Sequence, residues 1–386
     1  MQKTKDDRSV AIIGGGPGGL TLARILQTRG IPYTVFELDP HTLSRPQGGS
    51  LDLHEESGLR ALAEAGLRAE FDALARYDDQ GDAIYDHQGK LHFEHKGGHG
   101  EQRPEIDRTQ LRDILLASLP KEAIRWGSKV SGVERLPNGK HRVLAEKGAS
   151  LGDFDLVVGA DGAWSKVRPL LSKETPTYTG ITFVELSIDD VDTSHPAVAA
   201  LVPNGKISAV GGGQGLIAQR SSGGHVRAYL MFRVAGDWAK ENIDLTTTDR
   251  ARADLKKQLP GWSPLFLSLI DACNDAIVPR PIVTLPVGHR WESKPGVTLL
   301  GDAAHVMPPF SGEGVNMAML DALELGLALA AGSDWSRAIA GYEAQMFARA
   351  AEAAKGANEG TDFVSEDGLA HILEHFMSMA GAASHA

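Results

Sequence analysis

The feature that most restricts this chain is a strand-to-helix turn built almost wholly of glycine, Gly14-Gly15-Gly16-Pro17-Gly18-Gly19. Val10-Ala11-Ile12-Ile13 ahead of it is continuously apolar, as a strand buried on both faces must be. Leu20-Thr21-Leu22-Ala23-Arg24-Ile25-Leu26 behind it has the spacing of a helix with one apolar face. Gly14 permits the tight turn, Gly16 keeps a Cβ out of the way of a pyrophosphate, and Gly19 lets helix and strand pack closely. Pro17 and Gly18 open the helix, so phosphates would meet free amides and the positive end of its dipole. A second strand, Tyr33-Thr34-Val35-Phe36, leads into Glu37 and Leu38. A carboxylate there can accept hydrogen bonds from the ribose hydroxyls of an adenosine. The alternative is a glycine turn without a ligand, and the turn by itself serves NAD and FAD equally.

Two later segments bear on that choice. Asp155-Leu156-Val157-Val158-Gly159-Ala160-Asp161-Gly162 reads as a strand ending in a tight turn, followed by Ser165-Lys166-Val167-Arg168. Val297-Thr298-Leu299-Leu300 reads as a buried strand that brings Gly301 and Asp302 to the carboxyl edge of the sheet, where ligands of open α/β sheets sit. Pro308-Pro309-Phe310-Ser311-Gly312-Glu313-Gly314 then leads into a helix carrying Val315, Met319, Leu320, Leu323, Leu327 and Leu329. Its N-terminus would present a positive dipole to whatever is bound ahead of it.

With these three segments in order, the chain resembles the class A flavin monooxygenases, the para-hydroxybenzoate hydroxylase superfamily of FAD-dependent aromatic hydroxylases. Gly48-Gly49-Ser50-Leu51-Asp52-Leu53-His54, Pro104-Glu105-Ile106-Asp107-Arg108, Leu111-Arg112 and Gly301 to Asn316 are most similar to the tetracycline-inactivating members. The resemblance implies an α/β fold: a Rossmann-like FAD-binding domain, an inserted antiparallel β-sheet substrate domain and a C-terminal bridging helix. It implies FAD as cofactor, NAD(P)H as transient reductant and O2 as co-substrate, with hydroxyl transfer from a flavin C4a-hydroperoxide. Such enzymes leave the difficult step to the cofactor, so no catalytic side chain is assigned. His305, beside the Gly301-Asp302 turn, reads as a packing or hydrogen-bonding residue rather than an acid or base.

Carried over residue by residue, the resemblance gives Arg108 to the phosphate and ribityl region, with Arg112 one helical turn later as a second cation. A guanidinium fork suits paired phosphate oxygens, while a surface salt bridge is the alternative for each. Asp302 would bond the ribityl chain. Pro309, Gly312, Gly314, Val315 and Asn316 would meet the flavin ring, where the helix dipole stabilises negative charge on the reduced ring. Gly49, Asp52, Asp161, Gly162 and Gly301 are placed near the cofactor, although Asp161 could simply cap its own turn. Pro309 and Phe310 would shape the substrate cavity.

Between about 178 and 284 four stretches alternate apolar and polar residues: Gly180–Ile188, Lys206–Val210, Gly215–Arg220 and Val226–Arg233. They predict an antiparallel sheet with one face buried and one available to a ligand. Glu185, Lys206, Ile217 and Arg227 stand where the resemblance puts substrate contacts. They do not reproduce the residue types of the tetracycline enzymes, which leaves phenols, enols and other polycyclic aromatics open.

The 386 residues suggest two lobes, and a formal net charge of -11 with no basic stripe argues against nucleic acid. One cysteine, Cys273, excludes an internal disulfide, and no metal site is expected; His95 and His99 have loose metal-like spacing on what reads as a solvated loop. No membrane-length apolar run or leader is read, so a cytoplasmic monomer or weak homo-oligomer is expected. The expected organisation is an FAD domain from 1–75, 101–177 and 285–332, a substrate domain from 76–100 and 178–284, and a C-terminal helical segment 333–386. Alternatives are a reductase or halogenase of the same fold, or a flavin-binding protein without turnover. Gly261-Trp262-Ser263-Pro264 does not match the Gly-Trp-x-Trp-x-Ile-Pro segment typical of the halogenases.

Overall fold

The computed structural model describes residues 8–42, 44, 48–77, 81–95 and 103–383, with side chains to 378. His99, with its glycine-rich neighbours at 97, 98 and 100, lies outside the described residues, as do the last three residues. The chain forms two compact units: 1–75, 108–177 and 283–357 in the first; 76–107, 178–282 and 358–386 in the second. Residues 103–107 thus lie with the second unit rather than the first. The expected separate C-terminal segment 333–386 is divided at residue 357.

The first unit is a parallel sheet in the order Val297–Leu299, Leu156–Gly159, Val10–Ile13, Tyr33–Phe36, Ile124–Arg125. Val10, Ala11, Ile12 and Leu156 are fully buried, as strands covered on both faces require. Helix α1, Pro17–Thr28, follows the first strand with its Leu20, Leu22, Ile25 and Leu26 in the core. Each such side chain stabilises the unit by roughly 1.5–3 kcal/mol. Helix α2 is Arg108–Ala117, α3 is Gly314–Ala331 and α4 is Trp335–Glu359. α1 and α3 approach closely at Gly326, where an added Cβ would lie 2.5 Å from Ile25.

α3 corrects the expectation that no membrane-length apolar segment exists: by length and composition it could cross a bilayer. Here it is a core helix, with Met319, Ala322, Leu323 and Leu325 fully buried. It also carries a fully buried charge, Asp321.

The second unit centres on a seven-stranded sheet in the order Val278–Thr284, Thr177–Ile188, His225–Arg233, Gln214–Ser221, Lys206–Gly211, Asp82–Asp86, Leu91–His95. The four predicted strands are present within a few residues. The sheet is not wholly antiparallel, because Lys206–Gly211 pairs in parallel with Asp82–Asp86. That hairpin, 82–95, is the predicted excursion near residues 76–100.

Alternation divides this sheet into two faces. Val184, Leu186, Ile188, Leu216, Ala218, Ala228 and Leu230 point to one side and form a core with Leu255, Phe266, Leu269 and Ile270. The opposite side carries the cross-strand row Ser208, Ile217, Tyr229, Glu185 and the row Lys206, Gln219, Arg227, Ser187. The C-terminal helix Gly368–Ala383 brings Leu369, Ile372, Leu373 and Phe376 against Ile84 and Val210, whereas Met377 is exposed.

Candidate cofactor site

The glycine turn has little freedom to be anything else. Gly14 has φ +110°, where side chains are rarely tolerated, and an added Cβ would overlap the Ala160 carbonyl oxygen. A Cβ on Gly19 would overlap the Gly14 carbonyl oxygen. At Gly16 the situation reverses: nothing lies within 4 Å of where a Cβ would stand. Gly16 is also the residue that caps α1, and no side chain bonds that helix end. The first amides of α1 therefore open onto space a phosphate can fill. These are observations on which the expected cofactor fits.

Glu37 is buried, and both carboxylate oxygens hold the protein: the Gly15 amide donates to Oε2 at 2.6 Å and the Asp39 amide to Oε1 at 2.9 Å. A carboxylate retains further lone pairs after two such bonds, so ribose hydroxyls can add to it. Leu38 beside it is exposed.

Asp161 accepts the Lys166 amide on Oδ2 at 2.6 Å, while its buried Oδ1 has no hydrogen-bond partner. Burial raises its pKa against the bonds from Ser165 and Lys166. Gly162, at φ +76°, has open space around it. So Asp161 does brace its own turn, with one oxygen left over.

Asp302 opens a four-residue helical turn after Gly301 and remains exposed to solvent. Its carboxyl is nevertheless raised, first by burial, against the attraction of His305 and Arg108. The Arg108 amide donates to the Gly49 carbonyl at 3.1 Å, and its Cδ and Nε flank Gly48. Asp302→Ala and Arg108→Ala are each expected to leave the urea unfolding midpoint near wild type and to weaken FAD retention about tenfold or more, the scale of one charge-assisted hydrogen bond. Flavin content after gel filtration equal to wild type would reject these two assignments.

Three expected ligands are committed differently. Arg112 is buried instead of lying in a surface salt bridge: it donates to the Thr42 carbonyl at 2.6 Å, lies 3.7 Å from Asp39 and sits over Trp126. The Asn316 side chain is fully buried and tied to Asp52, His54 and Ser57, so only its backbone can serve a ligand. The Asp52 side chain lies 3.1 Å from His54 Nε2. Pro309 and Gly312 are exposed, Phe310 and Val315 half-buried, and Gly314 has open space. The N-cap residue of α3, Glu313, makes no side-chain cap bond to that helix end.

Sequence reasoning missed what holds the Gly301-Asp302 turn. Asp321 on α3 accepts the Gly301 amide at 3.0 Å and lies 2.6 Å from His305 Nε2, and Arg349 on α4 reaches it at 3.1 Å. Arg168 donates to the Ala303 carbonyl at 3.0 Å, Tyr342 to the Leu299 carbonyl at 2.9 Å, and His289 lies 2.8 Å from the Ala304 carbonyl. His305 is thus a buried brace. An acid inside an apolar helical stripe, Leu320-Asp321-Ala322-Leu323, was the available signal.

In the second unit, the four predicted substrate residues share the face turned away from the aliphatic core. Glu185 is buried between two guanidiniums, Arg227 Nη1 and Arg280 Nε, each at 2.5 Å. Lys206 lies 3.3 Å from Asp82. The charges of Arg227 and Lys206 are therefore already countered within the protein. Arg280 and Tyr229 join this face without having been foreseen.

Comparison with known proteins agrees with the cofactor geometry. The family model described as FAD binding domain matches residues 7–356. A relative from Penicillium thymicola, Monooxygenase penA, is 33% identical, covering 92% of this chain and 94% of its own length. Among solved structures, Klebsiella pneumoniae HpxO complexed with FAD and uric acid has a TM-score of 0.79 at 22% identity, covering 97% of this chain and 93% of that one. The tetracycline destructase Tet(51) has a TM-score of 0.68 at 20% identity, covering 92% and 90%. The glycine cradle and this match over nearly the whole chain agree: the chain belongs to the FAD binding domain family and is an FAD-dependent monooxygenase with a mixed α/β fold.

Proposed function

We propose that this enzyme hydroxylates an electron-rich phenolic, enolic or polycyclic aromatic compound, using O2 and electrons from NADH or NADPH in the cytoplasm. The supporting observation is the sheet face on which Ile217, Tyr229 and Phe183 stand beside Glu185 and Ser208. Tyr229 and Phe183 approach with ring centroids 6.2 Å apart, and such a surface suits a flat ring carrying a few polar substituents. FAD, when bound, supplies reduction by the nicotinamide and the reaction with O2.

The chain's own contribution is to bind and orient. Amides of the turn at Gly16 and the open end of α1 hold the pyrophosphate, and Glu37 the adenosine ribose. Asp302 and Arg108 hold the middle of the cofactor. The start of α3 would present amide dipoles to the flavin ring, where they would stabilise negative charge. On the sheet, Glu185 is held in place by Arg227 and Arg280, so it accepts from a substrate hydroxyl without reorganising. Because those guanidiniums are countered by Glu185, a neutral or hydroxyl-bearing ring suits this face better than a free carboxylate.

The fold likeness to a tetracycline destructase makes tetracycline the first polycyclic compound to try. The test is NADH and NADPH oxidation by the FAD-loaded enzyme against phenols, fused heteroaromatics and tetracycline, under 18O-labelled O2. The expected result is substrate-stimulated oxidation with one labelled oxygen in the product. Peroxide formation alone across the whole panel would reject the reading.

A further inference from the structure

We infer that His54 is a positioning residue for the flavin: its imidazole joins the segment after Gly48-Gly49 to the start of α3. The inference uses the assignment of both segments to FAD and is independent of the substrate.

The joint begins with backbone and amide chemistry. The His54 N–H donates to Asn316 Oδ1 at 2.9 Å, Asn316 Nδ2 donates to the Asp52 carbonyl at 2.9 Å, and the Ser57 hydroxyl donates to Asn316 Oδ1 at 3.2 Å. Gly58 has no room for a side chain, since a Cβ would stand 2.7 Å from Asn316 Oδ1. Asp52 Oδ1 lies 3.7 Å from where Gly312 would carry a Cβ. Residues 52–58 and 312–316 are therefore held at van der Waals distance by a fully buried amide.

The imidazole completes this. His54 is 2% exposed. Its Nε2 is 3.1 Å from Asp52 Oδ2, and its Nδ1 is 3.5 Å from Glu313 Oε1 and 3.9 Å from Glu56 Oε1. Nδ1 makes no hydrogen bond, so its approach to Glu313 is an electrostatic contact. Asp52 and Glu313 belong to opposite segments, so one ring bridges the two. Glu313 is the residue immediately before α3, and Asp52 closes the strand Ser50–Asp52. The ring thus joins the start of α3, which the resemblance assigns to the flavin ring, to the strand beside Gly49, which it places near the cofactor.

FAD release from the holoenzyme, followed by the rise of free-flavin fluorescence, tests this in His54→Phe, His54→Gln and Glu313→Gln. His54→Phe keeps a buried ring without donors and is expected to release FAD about tenfold faster, the worth of one charge-assisted hydrogen bond. It is also expected to shift the visible flavin band. His54→Gln, which can still donate to Asp52, recovers part of the loss. Glu313→Gln speeds release in the wild-type background and adds less than its full effect to His54→Phe, because the two residues act through one contact. Lower thermal stability with release rate and flavin spectrum unchanged would mean a merely structural role and overturn the inference. If His54→Phe does not fold, full additivity of Glu313→Gln with His54→Gln, or an unchanged release rate in Glu313→Gln, overturns it equally. Wild-type protein with no affinity for FAD would overturn the cofactor assignment itself, and is seen before any variant is compared.

Discussion

Asp321→Ala is expected to cost the first unit about 3–5 kcal/mol, the range for removing one partner of a buried ion pair. The variant leaves His305 without its carboxylate, Arg349 with Glu324 alone, and the Gly301 amide without its acceptor. Urea unfolding at pH 6 measures the loss, and a midpoint within experimental error of wild type would refute it. Asp321→Asn keeps a neutral acceptor for the Gly301 amide and for His305, so its difference from wild type isolates the charge.

The same pair carries a pH signature. Burial pushes the Asp321 carboxyl up, but His305, the Gly301 amide and Arg349 together bring it below the usual 3.8. Burial pushes His305 down, yet Asp321 and Asp302 outweigh it and hold it above 6.5. A depressed acid contributes stability that is present above its unfolded pKa and lost as pH falls through the folded one. A raised histidine contributes stability present below its unfolded pKa and lost as pH rises through the folded one. Both contributions are therefore complete between 3.8 and 6.5. Wild type should lose stability above that window by an amount that Asp321→Asn does not show. Parallel stability profiles from pH 6 to 9 would contradict the assignment.

Gly14→Ala should act on fold and cofactor together. At φ +110° an alanine is strained, and its methyl would overlap the Ala160 carbonyl at the junction of two central strands. Backbone cannot move aside as a flexible side chain can, so a loss of about 3 kcal/mol or more is expected, near the upper end for overpacking. FAD content should fall with it, since Gly16 and the α1 amides are aimed by the same turn. Gly16→Ala is the control: nothing stands within 4 Å of its Cβ. It should keep the unfolding midpoint while lowering FAD affinity. A Gly14→Ala protein that is as stable as wild type would show that the turn is not held as described.

Where a role depended on local spacing, the sequence carried it. The glycine turn, the strands at 10–13 and 33–36, and the alternating strands of the second unit follow from periodicity and from conformations that only glycine enters freely. Those patterns act over a few residues, so a linear reading resolves them. The resemblance offers Asp302 and Arg108 as cofactor residues because its motifs are themselves local.

Long-range electrostatics was not legible in this way. Arg112 reads as a phosphate cation, and only the structure shows Thr42, Asp39 and Trp126 around it; Asn316 reads as a flavin contact, and only the structure shows its side chain meeting Asp52, His54 and Ser57. Lys206 and Arg227 look like free charges until Asp82 and Glu185 face them. Asp321 and Arg349 are 28 residues apart, and Asp321 and Gly301 are 20 apart. Composition and periodicity determined which residues turn inward. Which buried charge meets which partner was decided only by packing, because a charge taken out of water must find its counterpart in space, wherever the chain has carried it.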